Sequence, residues 1–295
     1  MVTTLGFVWG GTFMVTELAL TGMTPFWLAS GRIGFAAFVM TAIWQVTGGK
    51  LFAAVPAPRT RVSVIAIGGF SSGIPFMLVA WGQQHVTSGF AGVSMASAAL
   101  IVLPLAHFFV PGERITLGKS VGFCIGFSGV VVLIGGQAFE RTGAGLETAG
   151  RMACVAAACC YGISSVLMRR LPAVDAIGLS TVTLVVAFAI VTPIAWLVEG
   201  PPPLPEAKTF MLIAFLGLLP TAGANMLRVL VIRSAGPVFM SLTNYQVPVW
   251  SVILGVMLLN EPAPPSLLWA MALILFGVGL SQYGAIRRLG SGKST

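Results

Sequence analysis

Two short stripes of polar and aromatic residues repeat the same helical spacing in the two halves of the chain. The residues that recur at i, i+3, i+4 and i+7 are Trp9, Thr12, Phe13 and Thr16 in the first stripe and Tyr161, Ser164, Ser165 and Met168 in the second. That spacing places each set on one face of a helix. Indole, phenol and hydroxyl groups can stack on a ligand or hydrogen-bond to it. We therefore take Trp9, Thr12, Tyr161 and Ser164 as candidate ligand-binding residues.

Five further polar residues lie in apolar segments and complete the candidate binding site: Ser97, Asn225, Arg228, Asn244 and Tyr245. A lone amide deep in lipid is costly unless it faces water or a polar network, so the two asparagines indicate a wet cavity. Single hydroxyls have an alternative, because serine and threonine can bond the preceding turn of their own helix. Arg228 can extend towards the headgroups or pair with a substrate carboxylate.

Two charges, Glu17 and Arg32, lie inside the first two apolar segments. An unpaired charge at depth costs about 3 kcal/mol on insertion scales. We expect the two side chains to form a structural ion pair. Glu17 is also the one candidate for coupling transport to protons.

The sequence lacks the residue types and spacing that catalysis or metal binding would need. Two histidines and one aspartate, scattered along the chain, assemble neither a Ser/His/Asp triad nor an HExxH spacing. The cysteines (Cys124, Cys154, Cys159 and Cys160) lie in apolar segments without metal-ligand spacing, and we interpret them as small packing residues. We expect no enzyme activity, no metal and no cofactor.

The chain is too apolar for a soluble domain of its length, with 57% hydrophobic and 8% charged residues among 295. A membrane crossing needs about 20 mainly apolar helical residues. Segments of that length predict ten spans, near 3–21, 25–47, 61–83, 88–110, 115–137, 149–170, 176–198, 208–232, 236–259 and 265–286. The predicted fold class is all-α, an integral membrane protein.

Weak internal repeats divide these spans into two groups of five. The matching segments are Trp9-Gly10 with Tyr161-Gly162, Pro75 to Met95 with Pro220 to Met240, and Glu113 to Gly129 with Glu261 to Gly277. Because five is odd, the second group must cross in the opposite direction, which is typical of transporters with inverted repeats around a central cavity. We predict a first repeat at 1–140, a linker at 141–148, a second repeat at 149–288 and a tail at 289–295.

Basic residues predict the orientation of the chain. With the N-terminus inside, twelve Lys and Arg residues fall on the inner side and three on the outer side. Both termini are therefore expected in the cytoplasm. The net charge of +8 is spread over span ends without a clustered patch, so we expect lipid headgroups as its partners and no nucleic acid.

Prolines and glycines inside spans predict where helices bend and where they touch. Pro75 corresponds in position to Pro220, and Pro104 corresponds roughly to Pro248. At these prolines we expect the helices to kink or open. A glycine ladder at positions 118, 122 and 126 predicts a contact face, which serves intramolecular packing or a dimer.

Several residues carry a resemblance to a known family: Trp9-Gly10 at the start, Arg32 in the second span, the paired Pro75 and Pro220, and the acids Glu113 and Glu261. In these residues the chain resembles the drug/metabolite transporter superfamily in its ten-span EamA branch. The resemblance covers essentially the whole chain and is greatest to YddG-type bacterial exporters of aromatic amino acids. It implies a ten-helix bundle, a cavity lined by spans one to four and six to nine, and outward movement of amino acids.

Two features depart from this family pattern. Pro104 and Glu113 are nine residues apart, whereas Pro248 and Glu261 are thirteen apart, so the halves cannot be closely symmetrical here. Glu17 replaces the usual basic residue late in the first span.

Together these patterns predict an inner-membrane exporter that moves amino acids, chiefly aromatic or hydrophobic ones, and related small metabolites by alternating access. The alternatives are export of another metabolite or a cationic drug, and, less favoured, a channel or a membrane-embedded enzyme. The expected partners are the small-molecule substrate and membrane lipids, with the chain a monomer or a weak dimer.

Overall fold

The protein is built of α-helices, as the apolar sequence predicts. The computed structural model describes residues 2–49, 51–52, 57–110, 115–135, 145–227 and 243–290. Within these ranges the β-type pairing is one isolated antiparallel bridge between Phe52 and Val174. The prediction of an all-helical chain is confirmed for this part of the protein.

The helices in chain order are α1 (Val2–Leu20), α2 (Pro25–Val46), α3 (Pro58–Gly68), α4 (Ile74–Gly82), α5 (Ser88–Ala96), α6 (Ala98–Phe109), α7 (Leu117–Gly135), α8 (Glu147–Arg169), α9 (Ala176–Glu199), α10 (Ala207–Leu216), α11 (Thr243–Leu259) and α12 (Pro265–Gly290). In the described ranges, seven continuous helical segments are long and apolar enough to cross a membrane, and two further apolar helices, Tyr245–Leu259 and Pro265–Ser281, are shorter. These segments make a multi-span membrane protein, and the count of ten stays a prediction.

Two π-helical turns interrupt the third and the eighth predicted spans. The turn Gly69–Gly73 joins α3 to α4 just before Pro75, and the turn Gly217–Gly223 follows α10 and contains Pro220. The Thr221 hydroxyl donates to the Leu216 carbonyl, five residues earlier, at 2.8 Å. A proline removes one backbone donor and crowds the preceding turn, which favours a local widening of this kind.

The other intramembrane prolines lie inside α-helices. Pro104 is within α6, Pro193 within α9 and Pro248 within α11. The fourth span is instead divided at Ser97, between α5 and α6. The predicted opening of the helix is therefore seen at Pro75 and Pro220, while the other three positions allow at most a bend.

The two halves of the sequence pack into each other. Helix α2 lies along α9, α5 along α11, and α7 along α12, while α1 contacts both α10 and α11, and α8 contacts both α4 and α6. Each π-helical turn contacts a helix of the other half, Gly69–Gly73 with α9 and Gly217–Gly223 with α2. Residues from both turns therefore reach the interface between the halves.

Glycine permits the close crossing of α7 and α12. A Cβ atom added to Gly122 would lie 2.5 Å from the Gly277 carbonyl oxygen, and one added to Gly277 would meet the backbone of Gly126. Gly118, by contrast, faces open space. Gly122 and Gly126 therefore serve packing within the chain, the first of the two roles predicted for the ladder, and Gly118 takes no part in it.

Candidate functional site

Arg32 lies at the interface between the two halves, in the second turn of α2. Its side chain is 7% exposed, its Nε donates to Thr221 Oγ1 at 2.9 Å, and its guanidinium carbon lies 4.0 Å from the centre of the Phe76 ring. Phe76 and Thr221 directly follow Pro75 and Pro220. The two interrupted spans therefore supply the two partners that hold this cation.

The outer edge of the Arg32 guanidinium has no protein partner in the described ranges. Its two Nη atoms carry four N–H groups, and none of these donates to a described residue. The site therefore presents a buried positive charge whose Nη donors have no partner among the described residues.

No described carboxylate neutralises Arg32. The acidic side chains with identified partners pair elsewhere: Glu17 with Gln83, Glu147 with Arg151, Asp175 with the Gly178 N–H, Glu199 with residues 24, 26 and 27, and Glu261 with residues 88 and 89. Glu206 is exposed at the start of α10. Of the eight acids, only Glu113 and Glu140 lie outside the described residues.

The expected ion pair between Glu17 and Arg32 is not formed among the described residues. Glu17 Oε2 accepts from Gln83 Nε2 at 3.3 Å, and its charge lies close enough to Glu261 for repulsion between them. Gln83 also donates to the Phe13 carbonyl at 2.8 Å, which fixes the amide on that side of α1. Glu17 and Arg32 therefore belong to separate polar groups.

Trp9 is held beside the same π-helical turn as Arg32. Its indole Nε1 donates to the Pro220 carbonyl at 3.0 Å, and the residue packs against the cluster formed by Leu5 and Ala224. Trp9 and Arg32 thus bind consecutive residues of the eighth span, Pro220 and Thr221. Two of the residues singled out from the sequence are brought together by a segment of the opposite half.

Tyr161 and Asn225 extend this group. The Tyr161 phenol lies within electrostatic range of the Arg32 guanidinium. Asn225 follows Thr221 by about one helical turn, is half-buried and forms no side-chain hydrogen bond with a described residue. Trp9, Arg32, Tyr161, Thr221 and Asn225 form what we call the Arg32 site.

Three hydroxyl candidates bond within their own helices. Thr12 donates to the Val8 carbonyl, Ser97 to that of Ser94 and Ser164 to that of Tyr161. All three side chains are buried. Each hydroxyl proton is therefore used within its own helix, which is the alternative predicted for single hydroxyls. Only the oxygen lone pairs stay available to a ligand.

The candidates of the ninth span and its approach are separate from this group. Tyr245 packs against a cluster of apolar residues from α5, α7 and α12, and its hydroxyl is buried without a described partner. Asn244 lies in α11, but its side chain is outside the described part, as is Arg228 altogether. No described contact connects these three residues to Arg32.

Two carboxylates join the halves by capping helix starts. Glu199, at the end of α9, accepts from the backbone N–H groups of Phe26 at 3.0 Å and Trp27 at 3.1 Å. Glu261, after α11, accepts from those of Ser88 at 2.8 Å and Gly89 at 3.0 Å. A carboxylate at a helix N-terminus satisfies free donors and is favoured by the helix dipole. These contacts hold α2 to α9 and α5 to α11.

Sequence reasoning missed the partners of these charges. Phe76 and Thr221 could have been found from the paired prolines, since each follows one of them. The capping roles of Glu199 and Glu261 had no comparable signal, because a carboxylate at a span end also fits a solvated loop. Gln83 was likewise indistinguishable from a loop residue.

Comparisons with known proteins agree with this architecture. The sequence model described as the EamA-like transporter family matches residues 1–135 and again residues 148–282. The chain is 25% identical over 282 residues to an uncharacterized inner membrane transporter, YedA, of Escherichia coli strain K12, which covers 94% of this chain and 88% of that protein. It is 26% identical over 284 residues to a probable terminal-alkyne amino-acid exporter of Streptantibioticus cattleyicolor, which covers 92% and 89%.

A solved crystal structure is similar in fold. It superposes with a TM-score of 0.65 and 23% identity, over 97% of this chain and 98% of the other. At that identity the likeness concerns the fold alone.

Proposed function

Because this chain belongs to the EamA-like transporter family, we propose that it is an inner-membrane carrier that exports amino acids, chiefly aromatic or hydrophobic ones, and related small metabolites. The observation that carries the proposal is the Arg32 site, a buried cation with aromatic neighbours at the interface of the two halves. A relative described as a probable amino-acid exporter supports the substrate class.

The mechanism in this proposal is alternating access by two inverted five-helix repeats. The family model matches the chain twice. The helix contacts support this mechanism, because contacts made by one half have counterparts made by the other. If spans one to five correspond to spans six to ten, then the contact of α1 with α10 corresponds to that of α8 with α3, since α10 and α3 each precede a π-helical turn. The contact of α2 with Gly217–Gly223 likewise corresponds to that of α9 with Gly69–Gly73. Such halves can rock about a site that lies between them.

The Glu199 and Glu261 caps give this mechanism an outer gate. With both termini in the cytoplasm, the starts of α2 and α5 and the ends of α9 and α11 all lie on the outer side. Both carboxylates then connect the first half to the second on that side. In this mechanism, opening to the outside exchanges these four N–H bonds for bonds to water, so the two caps favour a closed outer side.

Within the site, each side chain has a distinct part in binding an amino acid. Trp9 and Tyr161 offer ring faces to an apolar or aromatic side chain, and Asn225 offers a donor and an acceptor to the backbone groups of the substrate. Apolar contacts discriminate weakly between hydrocarbon shapes, so the substrate range is broad.

The proposal is tested with the purified full-length chain in liposomes and a panel of labelled substrates. We expect saturable uptake of Phe, Trp, Tyr, Met and Thr, with the aromatic amino acids preferred. Transport of organic cations with no uptake of any amino acid would instead support the drug-exporter alternative and contradict the proposal.

A further inference from the structure

We infer that Arg32 is the substrate-recognition group for a carboxylate, and that the transported molecules must carry one. The inference rests on the proposed function, because it names the chemical group by which the same site selects its substrates. It concerns a residue expected from the sequence to be neutralised by Glu17.

Arg32 has no carboxylate counter-charge among the described residues. A charge buried in a membrane protein is normally paired or faces water. Arg32 is 7% exposed, and the described acids with identified partners are bound elsewhere in the fold. Residues 228–242 contain no acid that could approach it from the adjoining segment. The natural complement of this site is therefore an anion from outside the chain.

Two contacts orient the Arg32 guanidinium. The Thr221 hydroxyl occupies Nε, and the Phe76 ring covers one face of the plane at 4.0 Å. Both contacts leave the edge formed by Nη1 and Nη2 without a partner among the described residues. A carboxylate binds that edge with two parallel N–H···O bonds, a geometry that matches its planar shape. Arginine held by its Nε and its face is thus preorganised for this ligand.

Two aromatic side chains belong to the surroundings of the Arg32 guanidinium. The Tyr161 phenol, which lies within electrostatic range of the guanidinium, can donate to an anion bound there. Trp9, bound to the carbonyl next to Thr221, places an aromatic ring beside the same turn. A molecule with a carboxylate at one end and an apolar group at the other fits both features.

The test uses three probes that share a phenyl ring and differ in their charged groups. Phenylalanine carries a carboxylate and an ammonium, 3-phenylpropionate carries the carboxylate alone, and phenylalaninamide carries the ammonium alone. Binding to the purified full-length protein is measured by thermal stabilisation, and transport by uptake into liposomes. The wild type should prefer both carboxylates over the amide by about 100-fold or more, because the amide leaves a buried cation unpaired.

Variants separate recognition from a purely structural role of the side chain. In Arg32→Gln the preference for phenylalanine over phenylalaninamide should fall to near unity, while Arg32→Lys should keep part of it. Arg59→Gln removes an equal charge from an exposed position and should keep the full preference. If Arg32→Gln weakens acid and amide binding equally, Arg32 only supports the fold and the inference is overturned.

Failure of the inference can be told from failure of the proposed function. If wild-type protein transports phenylalanine and its amide equally well, amino-acid export stands and the role of Arg32 is wrong. If it takes 3-phenylpropionate and excludes every amino acid, carboxylate recognition stands and amino-acid export is wrong. Should Arg32→Gln fail to fold, the wild-type ratio of acid to amide and the Arg32→Lys variant still decide the matter.

Discussion

Arg32 and Thr221 are joined by a hydrogen bond of 2.9 Å that connects the second span of one sequence half to the interrupted eighth span of the other. The Thr221 hydroxyl in turn donates to the Leu216 carbonyl, so the same group stabilises the π-helical turn and positions the arginine. A movement of one half against the other must change this contact. The hydrogen bond thus couples the shape of the eighth span to the position of the cation.

Trp9 offers a test of the aromatic side of the site. Trp9→Phe keeps a ring but removes the donor to the Pro220 carbonyl. Leaving that acceptor unpaired costs about 1–2 kcal/mol, or about 5- to 30-fold in an equilibrium. We expect phenylalanine uptake by the variant to fall by a factor in this range, measured as kcat/KM in liposomes.

Trp27 supplies the matched control. Its indole Nε1 donates to the Gly200 carbonyl at 3.1 Å, away from the Arg32 site. Trp27→Phe therefore removes an equivalent hydrogen bond and should lower uptake much less. Equal losses in the two variants would show that Trp9 acts only through the stability of the fold.

The two capping carboxylates predict the conformational balance of the carrier. Glu199→Gln and Glu261→Gln keep the shape of the side chain but remove the charge that the helix starts favour. Each should shift the equilibrium towards an open outer side by about 1 kcal/mol. Spin labels at positions 84 and 204, in loops of opposite halves with the native cysteines replaced, should report a larger share of long distances.

Glu206 is the control for these two changes, since it lies at the start of α10 without a side-chain cap bond. Glu206→Gln should leave the distance distribution as in the wild type. If all three variants behave alike, the effect comes from surface charge and the caps do not form a gate.

The crossing of α7 and α12 predicts a difference between two glycines. Gly277→Ala places a Cβ against the backbone of Gly126 and Gly122, and overpacking of this kind costs about 1–3 kcal/mol. Gly118→Ala adds a Cβ in open space and should be neutral or slightly stabilising. Thermal unfolding in detergent compares them, and equal melting temperatures would mean that α7 and α12 do not cross as closely as described.

The sequence predicted the helices well because hydropathy and the paired prolines are local signals. The helix bounds follow the predicted spans within a few residues, and both interruptions lie where Pro75 and Pro220 indicated. The environment of Arg32 could not be predicted in the same way. Its partners come from spans three and eight, and one sequence gives no means of choosing between Glu17 and Thr221 as the group that meets it.

The candidate binding residues show the same limit. Trp9 and Tyr161 were correctly placed on helical faces, but which residues those faces meet depends on how helices of the two halves pack. The hydroxyls of Thr12, Ser97 and Ser164 looked equivalent to ligand-binding groups because a sequence does not show whether a hydroxyl bonds its own helix.

Transport is predicted to be either downhill facilitation or weakly coupled to protons through Glu17, the one carboxylate inside a predicted span. If it is coupled, Glu17 carries the proton. An acidic vesicle interior should then drive accumulation of external phenylalanine in the wild type through proton exchange, and Glu17→Gln should lose this effect while retaining downhill uptake. If phenylalanine uptake is the same with and without the pH gradient in both proteins, transport is facilitated diffusion without proton coupling.

The most direct test of the carrier account is counterflow in liposomes. Vesicles containing the wild-type protein are loaded with unlabelled phenylalanine and diluted into a trace of labelled phenylalanine. A carrier that exposes the Arg32 site to one side at a time should produce a transient overshoot of label inside, absent in empty vesicles and reduced in Arg32→Gln. Uptake that rises only to equilibrium, without an overshoot at any internal concentration, would contradict alternating access.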